Sequence, residues 1–116
     1  MRKLKIGRKL SRKTGQRKAL IKTLAVSLFE KEKIKTTEAK AKELSSFSQK
    51  QIEKAKKNTL HSIKLLAKLF PPKIVKKLVN EIGPRYKERK GGYVRILKLE
   101  QRKVDGAKIA IIELII

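Results

Sequence analysis

The chain has 116 residues, a length that encloses one modest core, and its 33 lysines and arginines against 10 acids leave a formal net charge of +23. Cysteine is absent, which excludes disulfides, thiolate metal sites and cysteine nucleophiles, and no apolar run approaches the ~18 residues that a membrane-spanning helix needs. So large an excess of one sign repels itself in a compact fold, and the composition therefore requires a polyanionic partner.

Residues 1–13 carry Arg2, Lys3, Lys5, Arg8, Lys9, Arg12 and Lys13 with no acid and no helical apolar stripe, which predicts a basic arm that orders on binding. Residues 14–116 are expected to form the single folded domain. Beyond Met1, only Leu4, Ile6, Leu10 and Ala19 are apolar in the first 19 residues, so the apolar core of a signal peptide is missing and the expected compartment is the cytoplasm.

From Thr14, a plausible N-cap, the three- and four-residue spacing of Leu20, Ile21, Leu24, Ala25, Leu28 and Phe29 predicts an amphipathic helix to about Lys31. Ile34-Lys35-Thr36-Thr37 is short and β-branched and ends in a threonine suited to capping, so it reads as a strand leading into a helix. That helix spans about 38–57 on a thin stripe of Ala41, Leu44, Phe47 or Ser48, Gln51 or Ile52, and Ala55. A third helix runs from about Leu60 to Phe70, where Pro71-Pro72 stops it and Pro72 opens the next. Ile74, Val75, Leu78, Val79 and Ile82 mark a fourth helix, closed by a left-handed Gly83 cap and by Pro84. Tyr93–Leu99 and Lys108–Ile115 read as strands joined through the turn dipeptide Asp105-Gly106, and the last one, apolar on both faces apart from Glu113, is expected to be substantially covered. The element order is α-β-α-α-α-β-β.

Catalytic chemistry has little to stand on. His61 is the sole histidine and sits at a predicted helix start, where a surface or capping role suits it. Glu30 and Glu32, and Glu38 and Glu43, suit ion pairing with lysines better than acid and base work. No enzymatic activity, metal, cofactor or small-molecule substrate is expected. Gly91-Gly92 belongs to no nucleotide-binding fingerprint, but Arg85, Lys87, Arg89, Lys90 and Arg95 surround it. Two residues without side chains let backbone amides come close to a phosphate.

Aromatic residues make up 4% of the chain, with Tyr86 and Tyr93 near the basic loop, too few for a platform that stacks single-stranded bases. Recognition of folded RNA through its phosphates fits better, with a basic arm replacing counterions in crevices that a globular face cannot enter. Charge and position nominate Arg17, Lys18, Lys22, Lys35 and Lys40 alongside the arm and the Gly-Gly loop.

Three stretches, Gly7-Arg8-Lys9-Leu10 with Arg17-Lys18-Ala19, Ile34-Lys35-Thr36-Thr37 with Lys40-Ala41-Lys42-Glu43-Leu44, and Gly83-Pro84-Arg85-Tyr86 through Arg89, Gly91-Gly92-Tyr93 and Arg95-Ile96-Leu97-Lys98, carry a resemblance. With the closing Ile112-Glu113-Leu114 they resemble the seventeenth large-subunit ribosomal protein family of bacteria, over nearly the whole chain. The resemblance implies one α+β domain of two layers, a small mixed three-stranded sheet packed with about four helices, and a basic N-terminal extension. It implies contact with large-subunit ribosomal RNA and with neighbouring ribosomal proteins around the exit-tunnel side, with Arg8, Lys9, Arg17, Lys18, Arg85, Arg89 and Arg95 where the family meets RNA. Gln16 stands where the family often has histidine, and Val94 where it commonly has threonine.

Two other classes share the charge. A DNA-compacting architectural protein would need a dimerisation surface or wedge residues for the minor groove. A membrane-surface peptide would need its apolar faces in lipid rather than packed on one another.

Overall fold

A computed structural model of the chain describes residues 14–101, 106 and 108–115; the expected arm at 1–13 lies outside them, as does Asp105 of the expected turn. The elements are α1 (Thr14–Lys31), β1 (Lys33–Thr37), α2 (Glu38–Lys57), α3 (Leu60–Leu69), α4 (Pro72–Lys77), a π-helical turn (Leu78–Ile82), α5 (Gly83–Arg85), β2 (Val94–Gln101) and β3 (Lys108–Leu114). Three helices thus precede a fourth, interrupted one, in the order expected.

Local signals set most of the boundaries. The Thr37 side chain accepts a hydrogen bond from the Lys40 amide at the start of α2, and α2 ends at Asn58, whose φ of 50° is left-handed. Thr59 and Ser62 form a reciprocal capping box on α3, so the exposed His61 is a surface residue and not the cap. Pro72 occupies the first turn of α4, where its missing N–H costs nothing.

The fourth helix departs from expectation at its end. Gly83 has φ −55°, ordinary right-handed helix, and the chain continues helically through Pro84 to Arg85. Pro84 has no N–H to donate and its ring crowds the carbonyl four residues back; just before it the helix widens, and the Gly83 amide reaches the Leu78 carbonyl five residues away. Glycine stands at 83 for a different reason. A Cβ there would lie 3.0 Å from the Ala55 carbonyl oxygen, so its absence lets the π turn press against the α2 backbone.

The sheet order is β1-β3-β2 and both pairings are antiparallel, which corrects the expected mixed sheet. β1 and β2 do run parallel to each other, but β3 lies between them. β3 is the most apolar strand and takes the centre, while the edges carry Lys33, Lys35, Arg95 and Lys98, charges that discourage further strand pairing. Ala110, Ile112 and Leu114 of β3 face inward with Ile34, Val94 and Ile96. β3 is substantially covered, as expected: on its other face Ile109 is buried and Ile111 and Glu113 are half-buried, although Leu97 of β2 beside Ile111 is 41% exposed.

The core lies between this inner face and the helices, with α2 at its centre, touching α1, α3, the π turn and all three strands. Ala41, Leu44, Ser48, Gln51, Ile52 and Ala55 form its buried stripe, Ser48 taking the place that Phe47 also suited. α1 buries Ile21, Ala25, Leu28 and Phe29, while Leu20 and Leu24 stay half-buried. Phe70, at the end of α3, receives Phe29 and Phe47 edge-on at ring distances of 5.7 and 6.3 Å.

Candidate nucleic-acid interface

Several acids are engaged in ion pairs within the domain. Glu38 pairs with Lys42 one turn on at 3.3 Å and with Lys98, Glu30 with Lys73 at 3.4 Å, Glu113 with Arg95 at 2.6 Å, and Glu32 with both Arg85 and Lys77. These are the ion-pairing roles expected of Glu30, Glu32 and Glu38, although Glu30 and Glu32 find their cations on other elements. The Arg85 fork beside Glu32 holds that carboxyl below the usual carboxylate range, as Arg95 does for Glu113 and Lys42 for Glu38. Among the described residues more cations are present than these pairs employ, and most of the others are exposed.

The nominated residues fall in separate places. Lys18 and Lys22 are exposed on the first half of α1, with Arg17 half-buried beside them. Lys35 and Arg95 share the outer face of the sheet on opposite edges, and Lys40 sits half-buried in the first turn of α2. Lys87, Arg89, Lys90, Gly91 and Gly92 form one exposed loop before β2. Arg2, Lys3, Lys5, Arg8, Lys9, Arg12 and Lys13 lie outside the described residues.

The loop is built from the stretch most specific to the resemblance, and that stretch turns several side chains inward. Gly83 packs on Ala55, Arg85 forks onto Glu32, and the Tyr86 hydroxyl donates to the Ile115 carbonyl. Tyr86 and Tyr93 are both buried, ring against ring at 5.1 Å, and burial pushes both phenols up in pKa so that they stay neutral. Val94, where a hydroxyl was absent from the expected pattern, is buried opposite Leu114. What the stretch leaves outside is Lys87, Arg89 and Lys90 and the two glycines. Gly91 and Gly92 have φ of 149° and 64°, conformations that L side chains rarely adopt, and a Cβ on either would meet no atom within 4 Å. The glycines are there for backbone shape, not for lack of room.

Three residues that sequence reasoning passed over support this loop. Gln49, Glu53 and Lys56 follow one another at four- and three-residue spacing, which places them on one face of α2. Gln49 accepts the Tyr93 amide at 3.1 Å; Lys56 donates to the Tyr93 hydroxyl at 2.7 Å and to the Arg89 carbonyl; the Tyr93 hydroxyl donates to Glu53. That spacing was the only available signal, and lysine-rich helix surface masks it.

Among the described residues, no three His, Asp or Glu side chains gather as a metal site, and no helix is long and apolar enough to cross a membrane. A family model described as ribosomal protein L17 matches residues 20–115. The chain is similar to the large ribosomal subunit protein bL17 of Pelobacter propionicus, 49% identical over 116 residues, 99% of this chain and 91% of that protein. It is similar as well to bL17 of Natranaerobius thermophilus, 50% identical over 109 residues, 93% of this chain and 96% of the relative. Against bL17 of Borrelia hermsii it is 45% identical over 115 residues, 97% of this chain and 94% of the relative.

Proposed function

The chain belongs to the ribosomal protein L17 family, and from that membership we propose that it braces folded large-subunit ribosomal RNA by meeting phosphates rather than base edges. Membership makes it a structural, non-enzymatic constituent of the large subunit of the cytoplasmic bacterial ribosome. The observation that carries the phosphate reading is how the side chains are divided between inside and outside. The five phenyl and phenol rings are Phe29, Phe47, Phe70, Tyr86 and Tyr93; four are buried and Phe47 is half-buried against Phe70, which leaves the single imidazole of His61 exposed, too little for a platform that stacks successive bases. Most of the remaining cations among the described residues are exposed.

In this reading the arm of residues 1–13 enters crevices between RNA helices, while Arg17, Lys18 and Lys22 on α1 and the loop of Lys87, Arg89, Lys90, Gly91 and Gly92 rest on the RNA surface. Lys35, Lys40 and Arg95 add positive potential at the sheet edges and the first turn of α2, and Arg85 serves the RNA indirectly, by fixing the turn from which the loop departs. Neighbouring large-subunit proteins meet the domain on its remaining surface.

Binding of the full chain and of a chain lacking residues 1–13 to deproteinised large-subunit ribosomal RNA, across a salt series, tests this. Removal of the arm is expected to flatten the log-log salt dependence by several units, at up to about 0.9 per phosphate contact. An unchanged slope with equal affinity for duplex DNA would instead favour a DNA-compacting architectural role.

A further inference from the structure

Tyr93 is 1% exposed, yet its hydroxyl sits in a polar knot rather than in hydrocarbon. One side of the knot is α2, which supplies Glu53 and Lys56; the other is the loop itself, which supplies the Arg89 carbonyl. The Lys56 ammonium lies 4.8 Å from the Tyr93 ring centre and 4.0 Å from the Glu53 carboxylate, and its side chain is only 15% exposed. This lysine is therefore committed inward, unlike the exposed Lys57 beside it. Both ends of the loop are fastened as well. The Tyr93 amide is bound by Gln49, its carbonyl accepts from the Ile115 amide at 2.9 Å, and at the other end the Tyr86 hydroxyl holds the Ile115 carbonyl.

We propose that Glu53, Lys56 and Tyr93 are positioning residues that hold the Arg89 carbonyl and so keep the Gly91-Gly92 backbone shaped for phosphate before RNA arrives. The proposal rests on the reading of this loop as a phosphate contact and adds the device that preorganises it. Two consecutive glycines have the largest conformational freedom to lose on binding. A loop left free would lose it at the moment of association, whereas one fastened through Lys56 and Tyr93 has lost it already during folding. The knot acts through geometry alone. Tyr93 is neutral and buried, and Lys56 spends its charge on Glu53, the ring and a carbonyl.

The test is affinity and salt slope measured together on deproteinised large-subunit ribosomal RNA, with each variant checked for folding by circular dichroism and thermal unfolding. Tyr93→Phe removes one hydroxyl and keeps the ring, and Lys56→Met keeps the stem and removes the ammonium. Both are expected to weaken RNA binding about three- to tenfold while leaving the salt slope as in the parent chain. In the free protein, amide hydrogen exchange at Gly91 and Gly92 should quicken in both. A double Arg89→Ala, Lys90→Ala variant, which removes phosphate contacts themselves, should flatten the slope. If that double variant flattens the slope while Tyr93→Phe and Lys56→Met bind as the parent does, positioning by the knot is refuted and the phosphate loop stands. If Lys56→Met flattens the slope, Lys56 touches phosphate directly and the positioning role is again refuted. If the double variant changes neither slope nor affinity, the loop is not a phosphate contact and the reading beneath the proposal is overturned with it.

Discussion

Arg85 grips Glu32 through two hydrogen bonds, Nη1 to Oε1 at 2.7 Å and Nη2 to Oε2 at 3.1 Å, between residues 53 positions apart in the chain. Glu32 ends α1 with φ 65°, a left-handed conformation that costs a residue with a side chain about 1–2 kcal/mol. Its amide bonds the Leu28 carbonyl, its own carbonyl accepts from the Leu114 amide of β3, and its carboxylate also meets Lys77 at 3.1 Å. One residue thus joins the end of α1, the central strand and the interrupted fourth helix. Lys77 adds a hydrogen bond to the Glu30 carbonyl at 2.9 Å, placing positive charge at the negative end of the α1 dipole.

Arg85→Ala should therefore destabilise the fold by about 1–2 kcal/mol, because a strained, part-buried carboxylate loses its bidentate partner and keeps only a lysine. Urea unfolding monitored by circular dichroism reads this as a lower midpoint. Arg85→Lys should recover only part of the loss, since an ammonium supplies charge without the planar fork.

The same pair makes stability acid-sensitive. Glu32 ionises below its ordinary value of 4.5 in the folded chain, chiefly through the Arg85 hydrogen bond. The unfolded chain therefore binds the proton first as pH falls, and the stabilisation, fully present above 4.5, is lost as pH drops through the lower folded value. Unfolding measured at a series of pH values from neutral to about 3 should show this decline. In Arg85→Ala the decline should be shallower.

Two glycines in helical segments should respond in opposite directions to alanine. At Gly83 the new Cβ would meet the Ala55 and Leu78 carbonyl oxygens at 3.0 and 3.1 Å, so Gly83→Ala should push the π turn off α2 and cost about 1–3 kcal/mol. At Gly15, in the first turn of α1, nothing lies within 4 Å, and Gly15→Ala should be neutral or stabilising by up to about 1 kcal/mol. The difference between the two thermal midpoints checks both.

Lys18→Gln with Lys22→Gln removes two exposed cations from α1 and should leave the fold within about 0.5 kcal/mol of the parent. On large-subunit ribosomal RNA the pair should flatten the salt slope by up to about 0.9 per lysine. An unaltered slope would take this face of α1 out of the RNA contact.

Element order, the cap at Thr37, the stop at Pro71-Pro72 and the family itself were all legible in the sequence, because each depends on residues a few positions apart: a cap reads its own next turn, and a periodic stripe reads one face. The excess of cations was legible for the same reason, charge being a property of composition. Tertiary structure alone decided that β3 would separate β1 from β2, since three short strands satisfy their hydrogen bonds in more than one order and the most apolar one gains most from the centre. It decided that Gly83 serves contact with Ala55 rather than a left-handed cap. It also decided which cations of the basic loop stay outside. Arg85 and Tyr93 meet their acids 53 and 40 residues away, and only the packing of α1 and α2 against the interrupted helix and β2 brings those acids within reach.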